Sequence, residues 1–447
     1  TITGTELGNI TAGTLNIGNS STGNITVDGI SAANSNNATT VNLTTASASS
    51  VSFSNNDSTF NALTANGGSS TSFGSGLTIA TDTGKLALDS TSITSAGALT
   101  LTGATGIDFG AGVVFTAGGD LAMSTTSNDI SGTGAFTLTS TGNISLTKNL
   151  TTAGATIITA DSDGSGVGDF SIDASTTLST GNNSLTLTAN DVTVSGSINS
   201  GTGSTTIAVS DGGTIGLGGT SGNMTITGTE LGNITAGTLN IGDSSTGNIT
   251  VDGISAANSN NATTVSLTTA SGSSVSFSNN DSTFNALTSN GGSTSFGSGL
   301  TIATDTGKLS IDSASITSAG ALTLTGATGI DFGAGVTFTA GGDITMSTTS
   351  GDIEGGGAFT LTSTGDISLS ENLTTAGATV ITADSDASGG GDFSIDASTT
   401  LSTGNNSLAL TANDVTVSGS ISSGTGSTTI AVSDGGTIGL GGTSGNM

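Results

Sequence analysis

The stretch ALTLTGATGIDFGAGVVFTAGGDLAM, residues 98–123, decides the fold. Apolar side chains occupy every second position in short bursts, and glycine-containing turns separate the bursts. The bursts are Leu99/Leu101, Ile107/Phe109, Val113/Phe115 and Leu121/Met123. Because successive side chains of a strand point to opposite faces, each burst predicts a short β-strand with one buried face. The Thr and Ser residues elsewhere in the chain suit the outward face of such strands.

The same pattern runs through the rest of the chain. Further bursts in the first half are Leu15/Ile17, Ile25/Val27, Val41/Leu43, Val51/Phe53, Leu77/Ile79, Leu86/Leu88, Phe136/Leu138, Ile144/Leu146, Leu185/Leu187, Val192/Val194, Ile207/Val209 and Ile215/Leu217. A disordered chain would also be poor in large apolar residues, but it would not show so regular a period of two. No amphipathic helix is predicted, because helical spacing of apolar residues is nowhere sustained.

The chain consists of two tandem copies of one sequence repeat. Residues 1–224 align with residues 225–447 after one deletion near Ser70, with roughly nine residues in ten identical. Within the bursts, substitutions keep the apolar character. Outside the bursts they change charge, as in Asn19 to Asp243, Ser131 to Glu354, Asn143 to Asp366 and Lys148 to Glu371. This contrast is typical of a packed interior and a solvated exterior. We therefore predict two continuous repeat units, 1–224 and 225–447.

A shorter period inside each unit predicts the architecture. Bursts return after about 19–25 residues, which is the coil length of a β-solenoid. Strands of successive coils stack at about 4.8 Å, and each coil buries only a few inward side chains. The competing interpretation, a string of β-sandwiches, predicts periods of about 90–100 residues and core Trp, Tyr or Pro, which this chain lacks. We expect an all-β parallel solenoid of roughly 20 coils.

The two termini carry the halves of a stretch that occurs whole inside the chain. GGTSGNMTITGTELGNITAG spans residues 218–237, while the chain begins with its second part and ends with its first. A self-contained solenoid needs atypical end coils with polar outer faces. Neither terminus departs from the interior pattern, so we expect no capping ends and a segment of a longer tandem array.

Composition and charge narrow the classes of function. The chain contains no His, Cys, Tyr, Trp or Pro, and 32 acidic against 3 basic residues give a net charge of -29. This balance argues against binding of nucleic acid or anionic membranes through a basic surface and makes cations the expected small partners. A Ser or Thr nucleophile would lack its usual base, so we predict no catalytic residues and no enzyme. No apolar run is long enough to span a bilayer.

Four phrases carry a family resemblance. They are GNITAGTLNIG (8–18), the stretch 98–123, STGNISLTKNLTTAG (140–154) and NSLTLTANDVTVSGSI (183–198). Over essentially its whole length the chain resembles the repetitive stalk of filamentous-haemagglutinin-like bacterial exoproteins and related giant adhesins. The resemblance implies a right-handed parallel β-helix, export from a Gram-negative bacterium and a role in adhesion. The family's secretion domain carries Asn-Pro motifs, which a chain without proline cannot contain, so the export route and receptor stay open.

One glycine-rich acidic loop is the candidate metal site. DSDGSGVGD in the first repeat and DSDASGGGD in the second supply the candidate ligands Asp161, Asp163, Asp169, Asp384, Asp386 and Asp392. Calcium takes six to eight oxygen ligands, and an Asp-x-Asp start with a following Gly is typical of calcium loops. The bidentate Glu of an EF-hand is missing. Calcium is therefore the single candidate cofactor, and a solvated surface loop is the alternative.

The sequence predicts an extracellular structural or adhesive filament segment, a stiff stalk of a giant bacterial surface or secreted protein. The alternatives are an S-layer-like or matrix coat protein and a carbohydrate-active β-helix enzyme. The expected partners are further copies of the repeat in the same chain. We also expect divalent ions or salt to promote lateral association, because they screen and bridge carboxylates. No nucleic acid and no membrane-spanning segment are expected.

Overall fold

The structure, a computed structural model, describes residues 1–439. It confirms the predicted fold class: parallel strands stack as a β-solenoid of about 19 turns, and only 4% of the chain is helical. The closing stretch 441–447, on which the prediction of an uncapped end depends, lies outside the described residues. The predicted handedness likewise stays a prediction.

The chain divides into two compact units. Unit 1 comprises Thr1–Asp211 and Asn233–Gly237, and unit 2 comprises Gly212–Gly232 and Thr238–Met447, described up to residue 439. The compact units differ from the sequence repeats around residues 212–237: Gly212–Gly232 belongs to unit 2, whereas Asn233–Gly237 belongs to unit 1. The predicted repeat boundary between residues 224 and 225 concerns sequence periodicity and stays a prediction.

Unit 1 consists of short strands and two single-turn helices. Its elements are α1 (Gly4–Gly8), β1 (Ala12–Gly18), β2 (Ile25–Val27), α2 (Ala32–Ser35), β3 (Ala38–Thr44), β4 (Ser50–Phe53), β5 (Ser58–Phe60), β6 (Leu63–Asn66), β7 (Ser70–Phe73), β8 (Leu77–Thr81), β9 (Leu86–Leu88), β10 (Ser92–Ser95), β11 (Leu99–Gly103), β12 (Ile107–Phe109), β13 (Val113–Ala117), β14 (Leu121–Thr125), β15 (Ile130–Gly132), β16 (Phe136–Ser140), β17 (Ile144–Leu146), β18 (Leu150–Thr152), β19 (Thr156–Thr159), β20 (Phe170–Ile172), β21 (Thr177–Ser179), β22 (Leu185–Ala189), β23 (Val192–Val194), β24 (Ser197–Asn199) and β25 (Ser204–Val209).

Unit 2 repeats this series. Its elements are β26 (Ile215–Gly218), β27 (Met224–Ile226), α3 (Gly228–Gly232), β28 (Ile234–Ile241), which begins in unit 1, β29 (Ile249–Asp252), α4 (Ala256–Ser259), β30 (Ala262–Thr268), β31 (Ser274–Phe277), β32 (Ser282–Phe284), β33 (Leu287–Asn290), β34 (Ser293–Phe296), β35 (Leu300–Thr304), β36 (Leu309–Ile311), β37 (Ser315–Ser318), β38 (Leu322–Gly326), β39 (Ile330–Phe332), β40 (Val336–Ala340), β41 (Ile344–Thr348), β42 (Ile353–Gly355), β43 (Phe359–Ser363), β44 (Ile367–Leu369), β45 (Leu373–Thr375), β46 (Thr379–Thr382), β47 (Phe393–Ile395), β48 (Thr400–Ser402), β49 (Leu408–Ala412), β50 (Val415–Val417), β51 (Ser420–Ser422) and β52 (Thr428–Val432).

Each regular coil contributes one strand to each of three parallel sheets. In unit 1 the third sheet runs β5, β8, β11, β14, β17, β20 and β23. Its register places Leu99 between Leu77 and Leu121, 22 residues away in either direction. Because the inward positions stack on one another, their apolar side chains form continuous buried columns, as the alternation of the bursts predicts.

Coil length varies where loops are inserted. The coil between Ser49 and Ser69 has 20 residues, and its counterpart in unit 2, from Ser274 to Ser293, is one residue shorter. A coil of 26 residues, from Asn16 to Asn42, contains α2, and one of 28 residues, from Asn149 to Thr177, contains the acidic loop. The inserted residues lie between strands, so the register of the sheets continues past them.

Within residues 1–439 the chain also forms four single-turn helices, about which the prediction that no amphipathic helix is present made no statement. Helix α1 begins with an N-terminal capping box, in which Glu6 N donates to Thr3 Oγ1 at 3.2 Å and Thr3 N donates to Glu6 Oε2 at 2.7 Å. The pattern Thr-x-x-Glu is the sequence signal of such a box. Apolar periodicity could not reveal these helices, because four or five residues are too few to repeat a 3.6-residue period.

The buried columns include stacked aromatic rings. The ring centroids of Phe53 and Phe73, on successive coils, lie 5.1 Å apart, and those of Phe277 and Phe296 lie 5.2 Å apart at the same place in unit 2. Within residues 1–439, no buried side-chain nitrogen or oxygen lacks a hydrogen-bond partner. The described interior therefore combines apolar stacking with hydrogen bonding of its buried polar side-chain atoms.

Candidate functional site: the acidic loops and the acidic edge

The candidate calcium loop of unit 1 connects β19 to β20, and its first carboxylate points into the protein. Asp161 is only 1% exposed, and its φ of 53° lies in the left-handed region. Its carboxylate accepts hydrogen bonds from Ser165 N and Ser165 Oγ, both at 2.9 Å, and from Gly166 N at 3.1 Å. The side chain thus closes its own loop by accepting from donors four and five residues ahead.

The same carboxylate reaches a distant part of the chain. Ser210 Oγ donates to Asp161 Oδ2 at 2.6 Å, although the two residues are 49 positions apart in sequence. Burial alone raises the pKa of Asp161, but the hydrogen bonds from Ser210, Ser165 and Gly166 together outweigh it and hold the pKa below 3.8. The geometry gives Asp161 a structural role as the anchor of the loop.

The other two candidate ligands of this loop are exposed. Asp163 Oδ1 accepts only a weak hydrogen bond from Ser165 N at 3.3 Å. Asp169 Oδ1 accepts from Asn190 Nδ2 at 2.8 Å and Asp191 N at 3.1 Å. Nowhere in residues 1–439 do three carboxylates converge in a group that could hold a metal ion. The calcium hypothesis stays a prediction for binding experiments.

The loop of unit 2 has the same construction. Asp384 is buried and accepts from Ser388 Oγ at 3.2 Å, Gly389 N at 3.0 Å and Ser433 Oγ at 2.5 Å. Asp386 is exposed, with Ser388 N donating to it at 3.2 Å, and Asp392 accepts from Asn413 Nδ2 at 2.9 Å. The repetition shows that the buried first carboxylate belongs to the repeat itself.

A row of acidic and amide side chains, missed by sequence reasoning, follows one corner of the coils. We name it the acidic edge, and it comprises Asp120, Asn143, Asp169 and Asp191 in unit 1 and Asp343, Asp366, Asp392 and Asp414 in unit 2. Asp120 Oδ1 accepts from Asn143 N at 2.8 Å, and Asn143 Oδ1 accepts from Asp169 N at 2.9 Å. The side chains of Asp120, Asn143 and Asp169 therefore each accept a hydrogen bond from the backbone of the following coil.

The sequence does contain a signal for this edge. Every member directly precedes the first residue of a strand in the third sheet of unit 1 or its counterpart in unit 2, as Asp120 precedes Leu121 and Asp169 precedes Phe170. Because those strands stack in register, residues at the same offset must stack as well. Comparison of the positions before the bursts would have revealed the edge.

Two of the three lysines, Lys85 and Lys308, form ion pairs with Asp108, Asp331 and Glu354, which we name the second acidic row. Lys85 Nζ lies 2.6 Å from Asp108 Oδ2, and Lys308 Nζ lies 2.8 Å from Asp331 Oδ2 and 3.5 Å from Glu354 Oε2. The hydrogen bond to Asp331 is the main cause that raises the pKa of Lys308. These pairs are exposed, so each contributes little to stability.

Two carboxyl groups near this row have a raised pKa. Asp312 is exposed as a residue, but partial burial of its carboxyl group, with a smaller contribution from the charge of Asp331, raises its pKa. Asp89 shows the same shift in unit 1, from burial and from Asp108. Like charges on neighbouring coils therefore influence one another without forming a site.

Comparisons with known proteins add no identity. Searches against family models, curated proteins and solved structures find no match to this chain. Among residues 1–439, no helix has the length and apolar character needed to cross a membrane. The inference about function therefore rests on the solenoid and its surface.

Proposed function

We propose that the chain is a stalk segment of an extracellular structural or adhesive filament. The observation that supports this proposal most is the in-register stacking of similar coils in both units. Such a construction gains length by adding coils, without change to its cross-section or its interior. The sequence resemblance to the stalks of filamentous-haemagglutinin-like adhesins points to the same role at a Gram-negative cell surface.

The distribution of substitutions between the repeats supports a scaffolding role. Large inward residues keep their apolar character, as Leu121 and Ile344 do, and both are buried; at the small inward position Ala65 the counterpart is Ser289, which is buried and hydrogen-bonded to Thr294. Outward positions vary between neutral and acidic side chains, as Ser131 and Glu354 do. A scaffold requires the stack and tolerates variation of its surface, whereas a site in every repeat would require constant surface groups.

We infer that the repeat has no catalytic task. The carboxylate oxygens of Asp161 and the side-chain oxygens of the acidic edge accept hydrogen bonds from backbone and side-chain donors of the protein. A carbohydrate-active solenoid would need carboxylates directed at a substrate. The first test of this inference is incubation of the chain with acidic and neutral polysaccharides. No release of reducing or unsaturated ends is expected, and specific cleavage would favour the enzymatic alternative.

Length scaling tests the stalk proposal. The 447-residue chain would be compared by electron microscopy and small-angle scattering with chains carrying two and four additional repeats. At about ten coils per repeat and about 4.8 Å per coil, each repeat should add about 48 Å at constant diameter. Globular particles whose diameter grows with chain length would contradict the proposal, and planar lattices would favour the coat-protein alternative.

Localisation needs a separate experiment on the source organism. Antibodies raised against the 447-residue chain should label intact cells or fibres without permeabilisation. Labelling that appears only after permeabilisation would contradict the extracellular assignment while leaving the solenoid untouched.

A further inference from the structure

The second parallel sheet of unit 1 has an outward surface made of uncharged side chains. The sheet runs through β2, β4, β7, β10, β13, β16, β19, β22 and β25. Among the described residues of unit 1, its outward positions hold only Ser, Thr, Val, Ile and Ala, from Thr26 on β2 to Thr206 on β25. We name the outward residues of these strands the neutral face.

Exposed branched aliphatic side chains lie in the middle of the neutral face. Val114 is 48% exposed and Ile157 is 44% exposed. They stack on either side of Thr137, because Val114 pairs with Thr137 and Thr137 pairs with Ile157. Their sequence neighbours Val113 and Ile158 point inward and are buried. The neutral face therefore presents apolar surface that a covering partner would remove from water.

The two repeats differ on this face without a change of charge. The substitutions are Val114 to Thr337, Ile157 to Val380 and Thr186 to Ala409. Val380 is itself 39% exposed, on the equivalent sheet of unit 2. On the first sheet, by contrast, Ser131 is replaced by Glu354. The neutral face thus stays uncharged in both repeats, whereas the first sheet and the acidic edge gain carboxylates.

The other two sheets of unit 1 are less suited to contact between acidic chains. The first sheet, which contains β9, β12 and β15, has Asp108 at an outward position. The third sheet is bordered by the acidic edge, as Asp120 directly precedes Leu121. Each copy of the chain carries a net charge of -29. A second copy on either of these surfaces would bring carboxylates close to carboxylates, which the neutral face avoids.

We propose that the neutral face of one copy of the chain packs on the neutral face of a second copy, side by side. A two-fold contact of this kind uses the same surface on both partners. Two sheets pack face to face at about 10 Å, where the aliphatic groups interdigitate. Threonine hydroxyls can pair across the contact, because each one donates and accepts. The association does not depend on the stalk proposal, since it uses only the outward surface of the coils.

The neutral face is large enough for a stable contact. Its nine strands, at about 4.8 Å each, extend over about 40 Å, and each strand presents about 15 Å of its length. One such face measures about 600 Å², so a pair would bury about 1,200 Å², which is the lower end for stable protein interfaces. The equivalent sheet of unit 2 offers a second face of the same kind.

The contact predicts a defined response to ions. Because the described face contains no carboxylate, no divalent ion is needed to bridge the two copies. Sodium chloride alone should strengthen the association, since it screens the repulsion between carboxylates outside the contact. Bridging through the acidic edge would instead require calcium or magnesium. Association in sodium chloride with EDTA therefore separates the two modes.

Paired substitutions in both repeats test the proposal. Ile157→Asp combined with Val380→Asp places a charge on each neutral face. Both side chains are already exposed, so the solenoid should persist, which circular dichroism would verify. The matched control is Thr151→Asp combined with Thr374→Asp, which adds the same charge at exposed outward positions of the first sheet and its equivalent in unit 2.

Sedimentation velocity in sodium chloride with EDTA gives the first readout. The unaltered chain and the control should associate with rising concentration. The Ile157→Asp/Val380→Asp variant should raise the dissociation constant at least tenfold. An unaltered chain that stays monomeric over its whole soluble range would overturn the proposal. Association that requires calcium, or that both variants weaken equally, would also overturn it.

Cysteine protection locates the contact. A cysteine introduced at Thr137 should react with a maleimide more slowly as the chain concentration rises, whereas one at Thr151 should react at a constant rate. Equal protection of the two cysteines would contradict a contact through the neutral face. Retention of a monomeric chain on an insoluble neutral polysaccharide, lost with Ile157→Asp/Val380→Asp, would assign the face to that ligand and overturn the self-association.

Discussion

The acidic edges of unit 1 and unit 2 differ at one position, where Asn143 and Asp366 make the same contact with the following coil. Asn143 Oδ1 accepts from Asp169 N at 2.9 Å in unit 1, and Asp366 Oδ1 accepts from Asp392 N at 2.8 Å in unit 2. The position needs an oxygen that accepts from the following coil, and an amide supplies it as well as a carboxylate does. The units therefore share the hydrogen bond to the following coil, but Asn143 Nδ2 also donates to Asp120 Oδ1 at 3.2 Å, a bond that the carboxylate of Asp366 cannot donate to Asp343.

The inward positions follow a stricter rule than the edge. Leu138 and Leu361 occupy equivalent buried positions and are identical, each stacked between apolar residues of the coils on either side. A polar side chain is unfavourable at these two positions, because the residues stacked on Leu138 and Leu361 are apolar and offer no hydrogen-bond partner. The repeats thus separate positions set by packing from positions set by hydrogen bonding alone.

The largest expected effect breaks the buried column in either unit. Leu187→Asp and Leu361→Asp each place an unpaired charge between apolar neighbours and should cost about 5 kcal/mol of unfolding free energy. Urea unfolding followed by circular dichroism measures the loss. Thr186→Asp, on the outward side of the same strand, is the control and should change stability by less than about 0.5 kcal/mol. Equal losses for Leu187→Asp and Thr186→Asp would refute the inward assignment.

The next effect concerns the buried loop anchor. Asp161→Asn and Asp384→Asn each replace a carboxylate oxygen by an amide NH₂ group, which faces N–H and O–H donors and cannot accept their hydrogen bonds. Each should lower the free energy of unfolding by about 2 kcal/mol at neutral pH. Asp163→Asn is the exposed control and should be near neutral in stability. A saturable calcium isotherm lost with Asp163→Asn would instead support the metal hypothesis for this loop.

The pH dependence of the anchor has a defined sign. The folded pKa of Asp161 lies below 3.8, so the anchor's stabilisation is fully present above that value and is lost as the pH falls through the folded pKa. Thermal unfolding between neutral and strongly acidic pH should therefore show a smaller acid-induced decrease in Tm for Asp161→Asn than for the unaltered chain. Parallel curves for the two proteins would contradict this role.

A smaller effect sharpens the comparison of the two loops. Gly164 has a φ of 62°, and Ala387 at the equivalent position has a φ of 53°, although a side chain makes that region unfavourable. Gly164→Ala should destabilise unit 1 by about 1 kcal/mol, and Ala387→Gly should stabilise unit 2 by a similar amount. Chemical denaturation of both variants measures the pair. Changes of the same sign in both would show that the two loops are not equivalent.

The charge difference along the edge should have a modest, salt-dependent effect. Asp366→Asn removes one of several stacked carboxylates and should stabilise unit 2 by about 0.5 kcal/mol at low salt, with the gain disappearing at high salt. The reciprocal change, Asn143→Asp, should destabilise unit 1 at low salt. Calorimetry at two ionic strengths tests both. A gain for Asp366→Asn that persists in high salt would show that the hydrogen bond which Asn143 Nδ2 donates to Asp120 Oδ1 in unit 1 outweighs the charge.

The smallest effect is expected at the second acidic row. Ser131→Glu gives unit 1 the residue that unit 2 carries as Glu354, and Lys85 lies beside the neighbouring Asp108 to offset the added charge. Stability should change by less than about 0.5 kcal/mol. Differential scanning calorimetry would detect a larger loss, which would mean that the hydrogen bond from Ser131 Oγ to Asp108 Oδ1 matters more than its exposure suggests.

The regular part of the fold can be predicted from the sequence, because apolar residues recur at every second position within a strand and again after each coil of about 22 residues. The role of Asp161 is not, because its partner Ser210 becomes a neighbour only when the coils stack. An Asp-x-Asp spacing describes a local string, whereas the hydrogen bonds that turn Asp161 inward depend on the three-dimensional arrangement. The acidic edge lies between these cases: its offsets are regular, but only stacking gives them meaning.

The regular rise of successive coils is the central claim, and distances between paired spin labels test it most directly. The chain has no cysteine, so cysteines introduced at outward positions would be labelled uniquely. With one label at Thr78 and the second at Ser145, Ser171 or Thr193, which lie three, four and five coils further along the third sheet, the distance should grow by about 4.8 Å per coil. Distances that show no steady increase from Ser145 to Thr193 would contradict the solenoid.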